Sequence, residues 1–415
     1  ACGSGVFLVE AFRRLAWLKA KECGRPLNRD ELHEILQKQI FGLDIDQDAI
    51  YVAAFSLYLA LLELDPDPQP PDALRLPRLV ENSHQKGQPP NLYVQNFFNI
   101  EHSFNQSFPF SDGGFDLITG NPPWTALKEA TDFTDAERQR GVEYCHRENI
   151  PDNKPDQAFM WRARTFLNPS SPNARVAFVV SSRLFYQIST TAEPWREKFL
   201  ANNTVNQVVN LSDLSSEHIL FGREPAGLPA SVVIFSSNEP KPENSIIYIT
   251  PKWYPGIRKR DEILITGGDI QLLPQNLLKE APVLWKTAFW GTPRDFRLTQ
   301  RLCAFPSLEQ VLSEKEIRKG RERSRGITFG SNPTKDASQL RGLPFLESGS
   351  YQRYKIGIDE CVPFDRSLIA ERSNTVRLSL PILILNRALR DYRPNVALIE
   401  PAINHNHVLF DQMYY

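Results

Sequence analysis

Residues 116 to 124 read DLITGNPPW, an apolar run that stops at an amide, two prolines and a large aromatic. The chemistry open to this ending is narrow. The side-chain oxygen of Asn121 and the main-chain carbonyl of Pro122 both accept hydrogen bonds, and the prolines fix the backbone so that the two acceptors aim at one place. An exocyclic amino group held between them gives up its conjugation with its ring and presents a lone pair. It becomes a nucleophile. Trp124 offers a face on which a planar base can stack. The competing reading is a plain proline turn.

Three earlier stretches have the residue types of a nucleoside site. ACGSG at the start runs straight into an apolar helical pattern, placing flexible backbone at a helix N-terminus. It fits neither GxGxxG nor a P-loop, which favours a phosphate-free nucleoside ligand over ATP or NAD. GLDID at 42–46 ends a strand with two acids, and a carboxylate at the end of the second strand of a doubly wound fold accepts from both ribose hydroxyls. Asp44 is the candidate, with Asp46 as understudy or as the cap of the next helix. In VQNFF at 94–98, Asn96 can pair with an adenine edge and Phe97 can stack on its ring, although ordinary packing explains the same residues.

The elements that must hold these residues alternate. VFLVEAFRRLAWLKAK and AIYVAAFSLYLALLEL carry apolar residues at helical spacing. QIFGLDID, NLYVQNFF, GFDLITG, ARVAFVVSS, NQVVNLSD and SVVIFSS read as strands. Strands alternating with helices predict an α/β fold with a doubly wound, mostly parallel Rossmann-like sheet, reaching to about residue 250. The alternation then fades, and Pro, Gly and Arg punctuate more often. A chain of 415 residues has room for two domains, set here at 1–250 and 251–415. Residues 251–415 hold 25 of the 48 Lys and Arg but 18 of the 49 Asp and Glu, a net +7 against −8 for the rest. An acidic catalytic part joined to a basic, nucleic-acid-gripping part has this signature. The five cysteines are scattered, with no CxxC pair and no His at metal-ligand spacing, which fits a reduced intracellular protein without structural zinc. No run approaches eighteen consecutive apolar residues, and no membrane span is expected.

In order and spacing, ACGSGVFLVEAF, GLDID, VQNFF, FDLITGNPPW, DQAFMW and RVAFVVSSRLF resemble the N6-adenine DNA methyltransferases of restriction-modification and phage-defence type, whose cofactor motifs precede the catalytic one and whose target recognition domain comes last. The likeness covers roughly the first 240 residues. It implies S-adenosylmethionine as cofactor, with Ala1, Cys2, Gly3 and Gly5 around its methionine part, Asp44 on the ribose, and Asn96, Phe97 and Phe159 about the adenine. It implies Asn121, Pro122, Pro123 and Trp124 as the catalytic tetrapeptide, and Trp124 with Phe221 as the rings that stack on a flipped target base. The family usually has an Asp before the first loop and an upstream segment closing the pocket, so the chain reads as truncated before residue 1. Asn96 stands where an Asp is common.

The second part interleaves basic, aromatic and glycine residues in KWYPGIRKR (252–260) and RKGRERSRGITFG (318–330), suited to duplex phosphates. With LPFLESGSYQRYKI and ILILNRALR it resembles a mixed α+β target recognition domain, unfinished at its C-terminus. The expected partners are double-stranded DNA and restriction or defence-complex subunits, in the cytoplasm and with no membrane. Two rival readings are a protein glutamine methyltransferase, which faces the same amide chemistry, and a non-catalytic DNA-binding subunit of a defence complex.

Overall fold

In the computed structural model of the chain, the residues described are 2–67, 76–80, 90–99, 114–124, 135–151, 154–187, 192–215, 229–254, 262–306, 327–329, 332–347, 354–356, 361–370, 378–379, 382–385, 396–399 and 407–410. Ala1 and Phe221 lie outside them. The chain divides into two compact units, Ala1–Cys303 and Ala304–Tyr415.

The first unit begins with a turn into α1 (Val6–Cys23). Gly5 at its N-cap has φ +83°, and a Cβ there would lie 2.9 Å from Cα of Ala53, so a larger residue would be strained and would also push the helices apart. α2 (Arg29–Gln39) starts at a reciprocal cap in which the Glu31 N–H donates to Asn28 Oδ1 (2.9 Å) and the Asn28 N–H to Glu31 Oε2 (2.8 Å). β1 (Gly42–Asp44) follows, then α3 (Gln47–Leu64), capped by Asp46 accepting from the Asp48 N–H at 2.9 Å. β2 (Leu92–Val94) pairs with β1 in parallel. Between them Asn91 buries its amide, which donates to the carbonyls of Gln37 and Ile40 at 2.8 Å each and so ties the sheet to the end of α2.

Against the expectation from apolar runs alone, α3 is long and apolar enough to cross a membrane by length and composition, with mean hydropathy 1.3. In the fold one face of it, Ile50, Ala53, Leu57 and Leu61, is buried in a core shared with Phe12 and Ala16 of α1 and Leu32, Ile35 and Leu36 of α2. Tyr51, Val52, Phe55 and Leu59 lie on its exposed face.

The main sheet comprises β3 (Leu117–Gly120), β4 (Arg175–Ser181), β5 (Thr204–Asn210), β6 (Ala230–Ser236), β7 (Ser245–Ile249) and β8 (Ile270–Pro274), in the order β3-β4-β6-β5-β7-β8. The expected mostly parallel sheet is instead mixed. β3 with β4 and β5 with β7 are parallel, while β6 is antiparallel to both its neighbours and β8 to β7. A parallel partner requires a long crossover, normally a helix, and between β6 and β8 the described connections hold no long helix, so strand direction is free to reverse.

Helices on this sheet are α4 (Asp135–Arg147), α5 (Pro155–Ala163), α6 (Arg183–Tyr186), α7 (Ala192–Asn202), α8 (Ser212–Ser215), α9 (Gln275–Glu280), α10 (Val283–Trp290) and α11 (Pro293–Leu302). The first unit thus runs beyond residue 250, where the sequence placed a boundary, on to Cys303. The physical reason is packing. Trp285 of α10 is fully buried, its ring 4.4 Å from that of Phe185 and 5.6 Å from that of Tyr248 in β7, and Leu278 and Leu284 join the same core.

The second unit is described as short strands and one 3₁₀ turn (Ser338–Leu340). Its four-stranded sheet orders Val362–Pro363, Pro344–Leu346, His407–Phe410 and Leu378–Ser379, and a three-stranded sheet orders Tyr354–Ile356, Val396–Ile399 and Ile382–Leu385. Among the described residues Phe329, Phe345 and Phe364 form an aromatic cluster with Ile327, Leu340, Ile369 and Leu409.

Truncating Trp285 to Ala removes a fully buried indole and should cost about 3–5 kcal/mol of unfolding free energy, as for other buried aromatic deletions. Denaturant titration followed through amides of β5 and β7 checks this. If 251–303 were a separate body, those amides would unfold at the wild-type midpoint.

Candidate functional site

β3 ends where its ladder with β4 ends, at the Gly120–Phe178 pair. Pro122 has no N–H to continue a ladder, so Asn121, Pro122, Pro123 and Trp124 leave the sheet at the carboxyl edge of β3. Asn121 is exposed, Pro122 is buried, and the Trp124 indole N–H donates to the Val179 carbonyl of β4 at 3.2 Å. The aromatic is thereby tied to the neighbouring strand while the amide stays accessible.

The N-terminal turn meets β1 at the same edge. The Cys2 N–H donates to the Leu43 carbonyl at 2.9 Å, and the Gly3 N–H to Asp44 Oδ2 at 2.8 Å. Gly3 takes φ +55°, a left-handed value that favours glycine. The other Asp44 oxygen accepts the Asp46 N–H at 3.1 Å. Each carboxylate oxygen has a second acceptor direction, so a buried Asp44 engaged by two backbone donors can still take a pair of vicinal hydroxyls. Asp46 is the helix cap, the second of its two sequence readings. Burial, helped by the charge of Asp44, pushes the Cys2 thiol up to about 11, which keeps it protonated and excludes it as a nucleophile near neutral pH.

At the end of β2 the Asn96 side-chain oxygen accepts the Phe98 N–H at 2.8 Å, which fixes the orientation of the amide and turns Nδ2 toward the Glu137 carbonyl at 3.5 Å. Phe97 and Phe159 lie ring on ring, centroids 4.7 Å apart and planes 9° apart. The two rings therefore form one stacked platform. A planar ligand would lie against this platform and not between its members.

Two cavities flank these groups. A shallow polar one of about 360 Å³ is lined by Ile45, Val94, Gln95, Asn96, Asn99, Glu137 and Arg140. A larger one of about 550 Å³ is lined by Leu8, Ala11, Leu15 and Leu18 of α1, by Gly42 and Leu43 of β1, by Leu117–Gly120 of β3, and by Cys2, Pro122, Phe97 and Phe159. Among the described residues no ladder joins β1 to β3, so β1 and β2 stand as a separate two-stranded sheet. Of the residues expected from sequence, Cys2, Gly3 and Asp44 lie at the end of β1, Gly5 caps α1, Asn96 and Phe97 follow β2, Asn121–Trp124 follow β3, and Phe159 sits on α5 against Phe97; Asn96 lines the polar cavity and Phe97 the larger one. Ala1 and Phe221 lie outside the described residues.

Sequence reading missed Asp156 within DQAFMW. It is buried at the first turn of α5, and its carboxylate accepts the N–H of Ser181 at the end of β4 (3.1 Å) and of Gln157 (3.0 Å). An acid beside Pro155 at a helix start was the available signal. It holds the helix that carries Phe159 against the strand that holds Trp124. Of the basic, aromatic stretch 252–260, Lys252 is spent on packing: its ammonium donates to the Phe289 carbonyl at 2.6 Å and lies 4.0 Å from the Phe289 ring, and burial lowers its pKa. The Trp253 N–H donates to Asp213. Residues 255–260 and most of 318–330 lie outside the described residues.

Residues 38–216, less than half of the chain, match the family described as Eco57I restriction-modification methylase. The match takes in β1 to β5 and the Asn121–Trp124 tetrapeptide, so this segment is similar to a restriction-modification methylase domain. No curated protein matches the chain. Similar solved structures include one described as a type I restriction-modification system in complex assembly (17% identity, 76% of this chain, 58% of that one, TM-score 0.43). Another is the type I restriction enzyme EcoKI M protein (14%, 61%, 43%, 0.38), and a third the Type IIL restriction-modification enzyme MmeI in complex with DNA (13%, 100%, 55%, 0.45). The chain spans little more than half the length of these proteins or less.

Burial raises the Asp156 carboxyl to about 6, against the lowering effect of its two backbone donors and of Lys154. The folded carboxyl holds its proton more tightly than the unfolded one, so the native state binds more protons between pH about 4 and 6, and stability falls as pH rises through that window, by about 3 kcal/mol in all. Asp156→Asn keeps one acceptor oxygen and cannot ionise. Paired denaturant titrations at pH 4 and 6.5 should show this loss in the wild type and not in the variant.

Proposed function

We propose that the chain belongs to a site-specific DNA methyltransferase that moves a methyl group from S-adenosylmethionine to N6 of an adenine flipped out of the duplex, in a cytoplasmic restriction-modification or phage-defence system. One observation carries the reading. Within the matched segment, an Asn-Pro-Pro-Trp turn leaves a strand end with its amide exposed and its aromatic tied down, beside the strand end that carries Asp44.

When bound, S-adenosylmethionine supplies a methyl group already activated by its sulfonium. The protein's task is alignment and polarisation. Gly3 and Gly5 allow close backbone approach, Asp44 offers free acceptor directions to a ribose, and the Phe97–Phe159 platform and Asn96 offer a stacking face and a polar edge to the adenine end. The Asn121 oxygen and the Pro122 carbonyl accept hydrogen bonds from the two N6–H groups of the target base, which turns its lone pair outward, and one of those protons passes to solvent once N6 carries the methyl group. Because N6 is shielded in a duplex, the base must leave the stack at a cost of a few kcal/mol, offset by stacking on Trp124 and on Phe221. The second unit, with its basic segment 318–330, serves target recognition, with double-stranded DNA and restriction or defence subunits as partners.

Labelled methyl from S-adenosylmethionine, offered with unmethylated DNA to the full-length protein, should appear on adenine N6. Asn121→Ala should lose it by at least about 10²-fold, the scale of losing one polarising contact at a reacting centre, with cofactor affinity kept. Label on a release factor's glutamine instead of on DNA would overturn the substrate. No label and no cofactor binding would leave a non-catalytic DNA-binding subunit.

A further inference from the structure

A buried polar cluster sits at the carboxyl edge of the main sheet, outside the set of residues assigned above. Asn210 ends β5 with no exposure. Its side-chain oxygen accepts the Ser212 N–H at 3.0 Å, and since a backbone N–H can only donate, this contact fixes which way the amide points. Its Nδ2 therefore faces the Tyr248 hydroxyl at 2.8 Å and the Tyr186 hydroxyl, which are themselves 2.8 Å apart. On the oxygen side the Ser212 hydroxyl donates at 2.5 Å, and the Ser182 hydroxyl lies 2.6 Å from that of Ser231 and 2.9 Å from that of Ser212. Burial raises both tyrosine hydroxyls, Tyr248 to about 12, so they stay neutral.

What this cluster holds is the start and end of one connection. The chain leaves β5 after Asn210 and returns at β6, and both ends are bonded to the same place. The Ser182 N–H donates to the Pro229 carbonyl at 2.8 Å, and the Leu211 N–H to the Ala230 carbonyl at 2.9 Å. Ser182 directly follows β4, three residues beyond Val179, whose carbonyl holds the Trp124 indole. An apolar plug could fill the same volume. Directional hydrogen bonds do something further, since they fix register.

We propose that Asn210, with Ser182 and Ser212, is a positioning residue for methyl transfer: it ties the end of β5 and the start of β6 to the end of β4, the strand that holds Trp124, and so keeps Trp124 in register with Asn121. This deepens the proposed function and rests on it, since Trp124 is there assigned to the flipped base. The cofactor side, at β1 and β2, stands apart from the lock.

The test uses Asn210→Ala and the less buried Ser212→Ala in the full-length protein. Methyl transfer to unmethylated DNA should fall about 10- to 100-fold in kcat, the cost of misplacing a reacting group by about an ångström. S-adenosylmethionine affinity should stay within about twofold, because the lock touches no cofactor residue. Amide exchange at Leu211 and Ala230 should quicken while that at Leu43 and Ile118 does not. An unchanged kcat, or a fall that only tracks cofactor affinity or melting temperature in both variants, overturns the proposal. If the wild type transfers no methyl to DNA, the enzyme reading fails, and unchanged exchange at Leu211 and Ala230 would then refute the lock by itself.

Discussion

The register of β3 against β4 is the constraint on which the site depends. Leu117–Gly120 pairs with Arg175–Phe178 in parallel, so the chain leaves β3 opposite Phe178, one residue short of the carbonyl that receives the Trp124 indole. A slip of one residue would turn alternate side chains to the other face and carry Asn121 away from its neighbours. The same strand meets Asp156 at Ser181 and the Asn210 cluster at Ser182. The cofactor-side helix, the tetrapeptide and the 211–229 connection are thus all referred to four consecutive residues of β4 and its end. Rigidity of this kind belongs to a central strand and not to the loops it carries.

Where the sequence carried strong period and punctuation, the elements were legible. α1 and α3 follow their apolar spacing, and β3 ends where Gly120, Asn121 and Pro122 require it to end. α2 was passed over although Asn28 and Glu31 spell its start, because its short apolar face lies beside the strand pattern of 40–44. Strand direction left no trace in side-chain alternation, which is the same for a parallel and an antiparallel β6. The reach of the first unit to Cys303 was hidden for a related reason. α9 to α11 are short, and Trp285, which anchors them, is of a type that is seldom buried completely.

The site residues divide along the same line. Asp44 and the tetrapeptide stand out in the sequence because an acid and a proline pair directly after strand patterns narrow the chemistry that those positions can do. Asp156, Ser182 and Asn210 are ordinary polar residues until the fold buries them together, and only their partners give them meaning. Lys252 errs the other way: a cation among aromatics read as a phosphate contact, while its ammonium is consumed by a carbonyl and a ring of its own unit.

The gap between β1 and β3 has a thermodynamic consequence. The first unit contains two separate hydrophobic clusters, one joining Phe12, Leu36, Leu57 and Leu92 and the other running from Phe98 to Phe296, and no strand ladder bridges them among the described residues. Cooperativity propagates through ladders and shared cores, so the α1–α3 layer has an opening free energy of its own, distinct from that of the β3–β8 sheet. The α1–α3 layer can therefore open locally while the β3–β8 sheet stays folded. A ligand that spanned the gap from β1 to β3 would need both clusters formed, so it would suppress that local opening and raise the stability of both.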